Sequence, residues 1–95
     1  MNSLMIDLGS RFMKQGEFVG SDGENFIVEL SEENVYSLDA AAYYVWALCD
    51  GSRTVDDIIK RLVEDLGLER SEIEQPVISI IEALLKAELI KEVSM

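Results

Sequence analysis

The sequence contains no histidine, one cysteine and one proline among its 95 residues. Histidine is the commonest general base and metal ligand in proteins, and a single cysteine cannot form an internal disulfide. The chain also lacks a glycine-rich phosphate-binding loop, and its carboxylates are scattered along polar segments rather than paired in apolar surroundings. We therefore expect a protein that is not an enzyme and that needs neither a metal nor a cofactor.

Basic residues are scarce, since 8 lysines and arginines oppose 19 aspartates and glutamates, which gives a net charge of −11. A surface of this sign repels the phosphate backbone that supplies most nucleic-acid affinity, so nucleic acid is not an expected partner. Long apolar runs are also missing: none approaches the roughly 18 residues that cross a bilayer, and the N-terminal sequence MNSLMIDLGSRF has no secretion-signal pattern. We expect a cytoplasmic protein without a membrane partner.

The apolar residues that are present make up 48% of the chain. Together with the length, this composition predicts one ordered domain with a modest core over residues 1–95.

The expected centre of that core is the stretch from Leu38 to Gly51, LDAAAYYVWALCDG. Asp39 is a favourable N-cap, the alanines that follow have the highest helix propensity, and Gly51 is expected to end the helix. The spacing of Val45, Trp46 and Cys49 places them on one face. We expect Trp46, the only tryptophan, to be a core residue and Cys49 to be a small buried one.

The first half of the chain alternates polar and apolar residues in the manner of β-strands. We expect strands at Arg11–Lys14, Phe26–Leu30 and Val35–Leu38. Phe18 and Val19 either prolong the first strand or lie in a turn-rich stretch. The other two strands are expected to form an antiparallel hairpin across the four polar residues SEEN.

The second half changes to the 3.6-residue period of amphipathic helices. Thr54 and Asp57 form a capping pair before an apolar stripe that ends at Gly67. The stripe consists of Val55, Ile58, Ile59, Leu62, Val63 and Leu66.

A third helix is expected from a capping pair at Ser71 and Glu74. Pro76 leaves two alternatives, because a proline beyond the first turn removes a backbone hydrogen bond: the helix bends there, or it begins near Gln75. Its core face is expected to contain Ile73, Val77, Ile80, Ile81 and Leu84. The final stretch, Leu89–Val93, alternates again and predicts a short strand.

These elements predict an α+β fold of the winged helix-turn-helix type, with a small three-stranded antiparallel β-sheet followed by three α-helices. The familiar use of that fold places its last helix in the major groove of DNA. The charges oppose this use, because the third helical region carries more acidic than basic residues: Glu72, Glu74, Glu82 and Glu88 against Arg70 and Lys86.

The segment from Phe26 to Ile90 resembles the PqqD family, the coenzyme PQQ synthesis protein D. Members have a strand ending in leucine-asparagine, a helix closing in aspartate-glycine, a helix capped by threonine-valine and a last helix closing in glycine-leucine. The corresponding positions here are Leu38-Asp39, Asp50-Gly51, Thr54-Val55 and Glu88-Leu89. Glu88 departs from the glycine of the family, so we expect the last helix to end differently.

The resemblance implies a non-catalytic adaptor. Such domains resemble the recognition elements of ribosomally made, post-translationally modified peptides, which capture the leader of a precursor peptide and present it to a modifying enzyme, often a radical SAM enzyme. The expected sheet agrees with this role, because an exposed sheet edge can accept an extended peptide as a further strand.

By resemblance, the accepting edge is the third expected strand, with a ladder formed by Asn34, Val35, Tyr36 and Ser37. The facing wall is expected on the third helix, where Ile78 and Leu85 share a flank with Glu82 between them. Ile78 and Leu85 are either the edge of the core or the floor of a peptide groove. Glu82 either meets a basic residue of the peptide or is a solvated surface glutamate.

Two other functions stay open at this point. One is a winged-helix DNA-binding regulator, against the sign of the charge. The other is a structural subunit that uses the same strand edge to form a homodimer.

Overall fold

The computed structural model describes residues 6–93 of the chain. Over that range the chain forms six strands and three helices. In order, they are β1 (Arg11–Lys14), β2 (Glu17–Ser21), β3 (Phe26–Ser31), β4 (Asn34–Leu38), α1 (Ala40–Leu48), β5 (Asp50–Thr54), α2 (Val55–Leu66), α3 (Arg70–Lys86) and β6 (Ile90–Glu92).

The strands form two antiparallel sheets of three strands each. In one sheet β1 lies between β5 and β6, and in the other β3 lies between β2 and β4. The second sheet is built from consecutive hairpins, in which Val28 pairs with Tyr36 and Phe26 pairs with Leu38. The first sheet joins strands that are far apart in sequence, so it connects both ends of the described chain.

The expected α+β class and the three helices are confirmed. The expectation of a single three-stranded sheet before the helices is wrong, because β5 lies between α1 and α2, β6 follows α3, and both pair with β1. Phe18 and Val19 do not prolong β1 but belong to the separate strand β2. Ser31 and Asn34 pair with each other, so the hairpin connection is two residues shorter than expected. The winged helix-turn-helix type stays a prediction.

Trp46 is a core residue, as predicted, with only 3% of its surface exposed. Its Nε1 donates hydrogen bonds to the backbone oxygens of Leu89 at 3.0 Å and Gln15 at 3.2 Å. One turn earlier, Tyr43 stacks on Phe26 of β3 with ring centroids 4.4 Å apart. Trp46 and Tyr43 therefore fix the C-terminal segment and the second sheet, respectively, to the same helix.

Helix α1 begins as predicted and ends earlier than predicted. The Asp39 carboxylate accepts a hydrogen bond from the backbone N–H of Ala42 at 2.8 Å. Gly51 does not end the helix, because the last helical residue is Leu48 and Gly51 lies within β5 with a φ of +86°. The β5 sequence, DGSRT, contains no apolar alternation, so the local pattern gave no signal for a strand.

Helix α2 has the predicted capping box. Thr54 Oγ1 accepts from the N–H of Asp57, and an Asp57 carboxylate oxygen accepts from the N–H of Thr54, each at 3.0 Å. Gly67 ends the helix in the left-handed conformation, with a φ of +66°. Leu66, the last residue of the apolar stripe, is 56% exposed and borders an open depression.

Helix α3 begins at Arg70, earlier than either alternative from the sequence. Its N-cap is Glu69, whose N–H donates to the Glu72 side chain at 3.1 Å, so the capping pair Ser71 and Glu74 is wrong. The helix continues through Pro76, which excludes a start near Gln75. Glutamate ranks below serine as an N-cap, which explains why the sequence pattern favoured the wrong residue.

The end of α3 has the geometry that a glycine normally provides. Glu88 has a φ of +64°, and its N–H donates to the oxygen of Leu85 at 3.0 Å. The N–H of Leu89 donates to the oxygen of Leu84 at 2.9 Å, which completes a Schellman motif. The glutamate therefore does not change the turn, contrary to expectation, and the predicted C-terminal strand follows as β6.

No helix within residues 6–93 has the length and apolar character needed to cross a bilayer.

Candidate functional site

Strand β4 is an outer strand of its sheet. It pairs with β3 along one edge, and within residues 6–93 no strand pairs with its other edge. Asn34, Val35 and Ser37 are exposed, whereas Tyr36 is half-buried and Leu38 is buried. Backbone N–H and C=O groups along such an edge are free to bond an additional strand.

An open groove of about 330 Å³ runs beside β4. Strand β4 and the start of α1 form one side of it, and the C-terminal half of α3 forms the other. The groove is lined by Tyr36, Ser37, Leu38, Asp39, Ala42, Ser79, Ile80, Ala83, Leu84, Ala87 and Leu89. A cavity at the lower end of the roughly 300–1,000 Å³ range of ligand sites has room for side chains rather than for a folded element.

The α3 wall of this groove is formed mainly by small side chains. Ser79, Ala83 and Ala87 recur at four-residue spacing and therefore lie on one face of the helix. Because they are short, space remains between the helix and β4. The floor is apolar, since Leu38, Leu84 and Leu89 are all buried there.

Polar groups in the groove are few. Asp39 is the one charged residue that lines it, and its carboxylate already caps α1. The hydroxyls of Ser37 and Ser79 are the other polar side-chain groups besides the phenol of Tyr36. The turn between β3 and β4 adds the exposed carboxylates of Glu32 and Glu33 at the far end of the strand. The site therefore combines an apolar groove with a free backbone edge in an acidic setting.

The aromatic residues behind β4 hold its sheet in place. Phe18 of β2 lies 5.3 Å from Tyr43 of α1 and 6.2 Å from Phe26 of β3, between ring centroids. Phe26 pairs directly with Leu38 of β4. The position of β4 relative to α1, and so the width of the groove, depends on this cluster.

The structure brings together some of the residues predicted for the site. Asn34, Val35, Tyr36 and Ser37 follow one another along β4, and the last two also line the groove. Ile78, Glu82 and Leu85 do not line it, because they lie on the opposite flank of α3. Leu85 instead packs against the core and borders a depression with Leu30 and Ile90. A role for these three side chains in binding stays a prediction.

The groove wall itself was missed by sequence reasoning. Ser79, Ala83 and Ala87 were not singled out, and Ile80 was assigned to the core face. The available signal was the spacing of small residues in the segment VISIIEALLKAELI. Large apolar side chains mark packing surfaces in a sequence, whereas a groove requires positions where the side chain is short.

The one cysteine lies outside this site. Cys49 has no exposed surface, and burial raises the pKa of its thiol to about 12, so the thiol stays protonated at neutral pH. Across residues 6–93, no three histidine, cysteine, aspartate or glutamate side chains lie close enough together to hold a metal ion.

Comparison with known proteins identifies the family. No curated protein and no solved structure matches the chain. The family model of coenzyme PQQ synthesis protein D (PqqD) matches residues 24–90, which contain β4, α1 and α3 and so every residue that lines the groove. The match extends over more than half of the 95 residues and confirms the resemblance noted in the sequence. This chain therefore belongs to the PqqD family.

Proposed function

We propose that this chain is a non-catalytic, cytoplasmic adaptor that captures the leader of a ribosomally made precursor peptide and presents it to a modifying enzyme, such as a radical SAM enzyme. One observation carries the proposal: the free edge of β4 lies directly beside an apolar groove, within the part of the chain that matches the family. Such an arrangement suits strand addition, in which backbone bonds supply affinity and pockets supply selectivity.

The peptide would bind in an extended conformation along Asn34–Ser37. Alternate side chains of an extended strand point to opposite faces, so every second residue of the peptide would enter the groove. Leu38, Leu84 and Leu89 on its floor favour aliphatic or aromatic side chains there. Each backbone hydrogen bond of the ladder contributes about 0.5–1.5 kcal/mol in any sequence. The groove is therefore the part of the site that distinguishes one peptide from another.

The charge of the adaptor favours basic peptides. A net charge of −11 attracts cationic segments at a distance, and this attraction speeds their association at low ionic strength. Glu32 and Glu33 place exposed carboxylates at the Asn34 end of β4. We expect a lysine or arginine of the peptide near that end.

The proposed contacts between the peptide and α3 involve two flanks of the helix. These flanks lie at different distances from β4. Ile80 and Ala83 line the groove next to the strand. Ile78, Glu82 and Leu85, which we predicted as contacts from the sequence, would meet only a part of the peptide that passes over the helix. A single titration distinguishes the two flanks.

The test is an NMR titration of isotope-labelled protein with the leader half of a precursor peptide encoded beside its gene. We expect the largest shifts at the backbone amides of Val35–Ser37 and the methyl groups of Ile80 and Ala83. The β2 amides Glu17–Ser21 serve as the internal control, because β2 is the other outer strand of the same sheet. A titration in which β4 does not respond would contradict strand addition.

A homodimer would use the same edge, so the titration is paired with sedimentation equilibrium. A monomer that binds one peptide supports the adaptor. A dimer that persists at saturating peptide, with β4 amides unresponsive, would favour the structural subunit instead.

A further inference from the structure

A second apolar depression, with a volume of about 390 Å³, lies at the other end of α3. It is bounded by the N-terminal half of α3, the start of α1 and the end of α2. Its lining contains a single charged residue, Glu72. The complete lining is Ala40, Ala41, Tyr44, Val45, Leu62, Leu66, Leu68, Glu72, Ile73, Pro76, Val77 and Ile80.

This second depression adjoins the groove beside β4 at one residue of α3. Ile80 lines both cavities. The α3 residues of the depression, Glu72 and Pro76, continue at four-residue spacing into Ile80, and the stripe then runs on to the groove wall at Ala83 and Ala87. The two cavities therefore follow one another along the same flank of α3.

The start of α1 marks the passage between the two parts. Ala42 lines the groove, whereas Ala40 and Ala41 line the depression. Ala40 and Ala41 directly follow Leu38, the last residue of β4, and Asp39. A bound peptide that pairs with β4 and continues past Leu38 would consequently reach the second depression next.

The depression leaves large apolar side chains in contact with solvent. Leu66 is 56% exposed and Leu68 is 45% exposed, and both border the same concave surface. Contiguous apolar surface of this kind marks interaction sites more often than isolated exposed leucines do. Tyr44 adds a ring to the surface while its hydroxyl donates to the Asp65 carboxylate, which also accepts from Arg61 Nε at 3.1 Å.

We infer that one peptide occupies both cavities: beyond the ladder on β4, on the Leu38 side, it places an apolar anchor in the second depression and a basic residue beside Glu72. This rests on the proposed function and adds a second recognition element to it. The shared lining residue Ile80 and the apolar lining of both cavities favour a single occupant.

The separation of the two cavities sets the spacing of the recognised residues. Pro76 and Ala83, near the middle of each α3 wall, are seven positions apart in the helix. Seven residues correspond to a distance of about 10 Å along the axis. An extended chain covers this distance in about three residues. The anchor should therefore lie about three residues from the peptide side chain that enters the groove.

The probe for the test is a displayed library of random peptides of about 16 residues, which span about 50 Å when extended and so can cover both cavities. Peptides are selected on the full chain, and their affinities are measured by fluorescence anisotropy. Three variants are compared: Tyr36→Pro, or Ser37→Pro if the Tyr36 variant does not fold, disturbs the ladder, Ala41→Trp fills the depression, and Gln75→Trp is the matched control. Gln75 is exposed on α3 and lines neither cavity, and Ala41 is also exposed, so both tryptophans are compatible with the fold.

If the inference is correct, selected peptides carry two apolar positions at the expected spacing, and Ala41→Trp weakens them by about 10- to 100-fold, the effect of losing one buried side chain. Gln75→Trp leaves the affinity unchanged. Removing the anchor residue from the peptide lowers its affinity for the wild-type chain and abolishes its sensitivity to Ala41→Trp. The smaller substitution Ala41→Leu should act in the same direction if the tryptophan variant melts at a lower temperature than the wild type.

The outcomes separate the two proposals. Binding that is lost in Tyr36→Pro but retained in both Ala41 variants would overturn the second cavity and leave strand addition standing. Binding that is lost in the Ala41 variants but retained in a folded Tyr36→Pro variant would overturn strand addition, and with it the single bipartite peptide. If no enriched peptide responds to any of these substitutions, both proposals fail.

Discussion

The two flanks of α3 differ in what they contact. On one flank, the guanidinium of Arg70 lies 2.7 Å from the Asp56 carboxylate of α2 and 3.1 Å from Glu74. This flank continues through Ile78, Glu82 and Leu85, and Leu85 packs against the core. The other flank passes through Pro76, Ser79, Ala83 and Ala87 and faces open space beside β4 and α1.

The difference shows how a single helix can pack on one flank and border open space on the other. The flank with long side chains joins α3 to α2 through Arg70 and to the core through Leu85. The flank with short side chains leaves the groove open beside the outer edge of β4. In the proposed function, the short side chains beside the outer edge of β4 therefore mark the peptide site.

The largest expected effect comes from disrupting the outer edge of β4, which lies beside the α3 flank with short side chains. Consecutive residues of a strand point their N–H groups to opposite edges, so either Tyr36 or Ser37 donates outward. Of the two variants Tyr36→Pro and Ser37→Pro, we expect one to keep its thermal stability and to bind the leader peptide about 100-fold more weakly, because a donor is lost and the ring blocks the adjacent bond. The other variant should instead lose stability, since it breaks the pairing with β3.

Peptide affinity and melting temperature of both variants are measured side by side. Val19→Pro in β2 is the matched control at the opposite edge of the sheet. Two folded proline variants with wild-type affinity would place the peptide away from β4.

A smaller effect compares the two flanks directly. Ala83→Leu narrows the groove and should weaken peptide binding by about tenfold, because one apolar side chain of the peptide can no longer be buried. Ile78→Ala and Glu82→Gln on the other flank should weaken binding less, because neither side chain lines the groove. Isothermal titration calorimetry measures all three. The reverse pattern, with loss at Ile78 and Glu82 only, would assign binding to the long-chain flank.

The end of α3 offers a change that should affect neither flank. Glu88 has a left-handed backbone, which costs a residue with a Cβ atom about 1–2 kcal/mol and costs glycine almost nothing. Part of this gain is offset by the greater freedom of glycine in the unfolded chain, so Glu88→Gly should raise the free energy of unfolding by about 0.5–1 kcal/mol. Urea denaturation measures the change. A destabilised variant would show that the glutamate side chain makes a compensating contact.

The smallest expected effect is a pH-dependent change in stability that comes from Asp56, which forms ion pairs with Arg70 and Lys60. Hydrogen bonds from Arg70 and Lys60 lower the pKa of Asp56 below its ordinary value. The ionised carboxylate is therefore favoured in the folded state, and its stabilisation is present above the unfolded pKa and is lost as the pH falls through the folded pKa. The partners are partly exposed, so the contribution is modest.

We expect the wild type to be more stable than Asp56→Asn at neutral pH and the difference to disappear in strongly acidic buffer. Glu64→Gln on the same helix is the control, since Glu64 forms no ion pair with another of residues 6–93. Urea denaturation at several pH values gives both differences. A difference between wild type and Asp56→Asn that does not vary with pH would show that the ion pair is not its source.

The sequence correctly predicted features that depend on residues close together in the chain. The capping box at Thr54, the burial of Trp46 and the existence of β4 all follow from a few adjacent residues. Strand β5 was missed because its strand character comes from pairing with β1, where Met13 opposes Asp50 across a long stretch of sequence. Pairing of this kind left no periodic pattern in β5.

The candidate site shows the same limit. Helical periodicity assigned Ile78 and Leu85 to one flank correctly, but it could not say which flank faces β4. That choice depends on how α3 packs against α1, in particular on Ile80 and Val45 at their interface. Tertiary packing, rather than the pattern of the helix, decided which residues line the groove.

Amide hydrogen exchange with and without saturating leader peptide tests strand addition at β4 most directly. We predict that exchange slows at alternate amides of Asn34–Leu38, the ones that point away from β3, while the outer amides of β2 keep their free-state rates. Unchanged rates at β4 in a protein that binds the peptide would contradict the account.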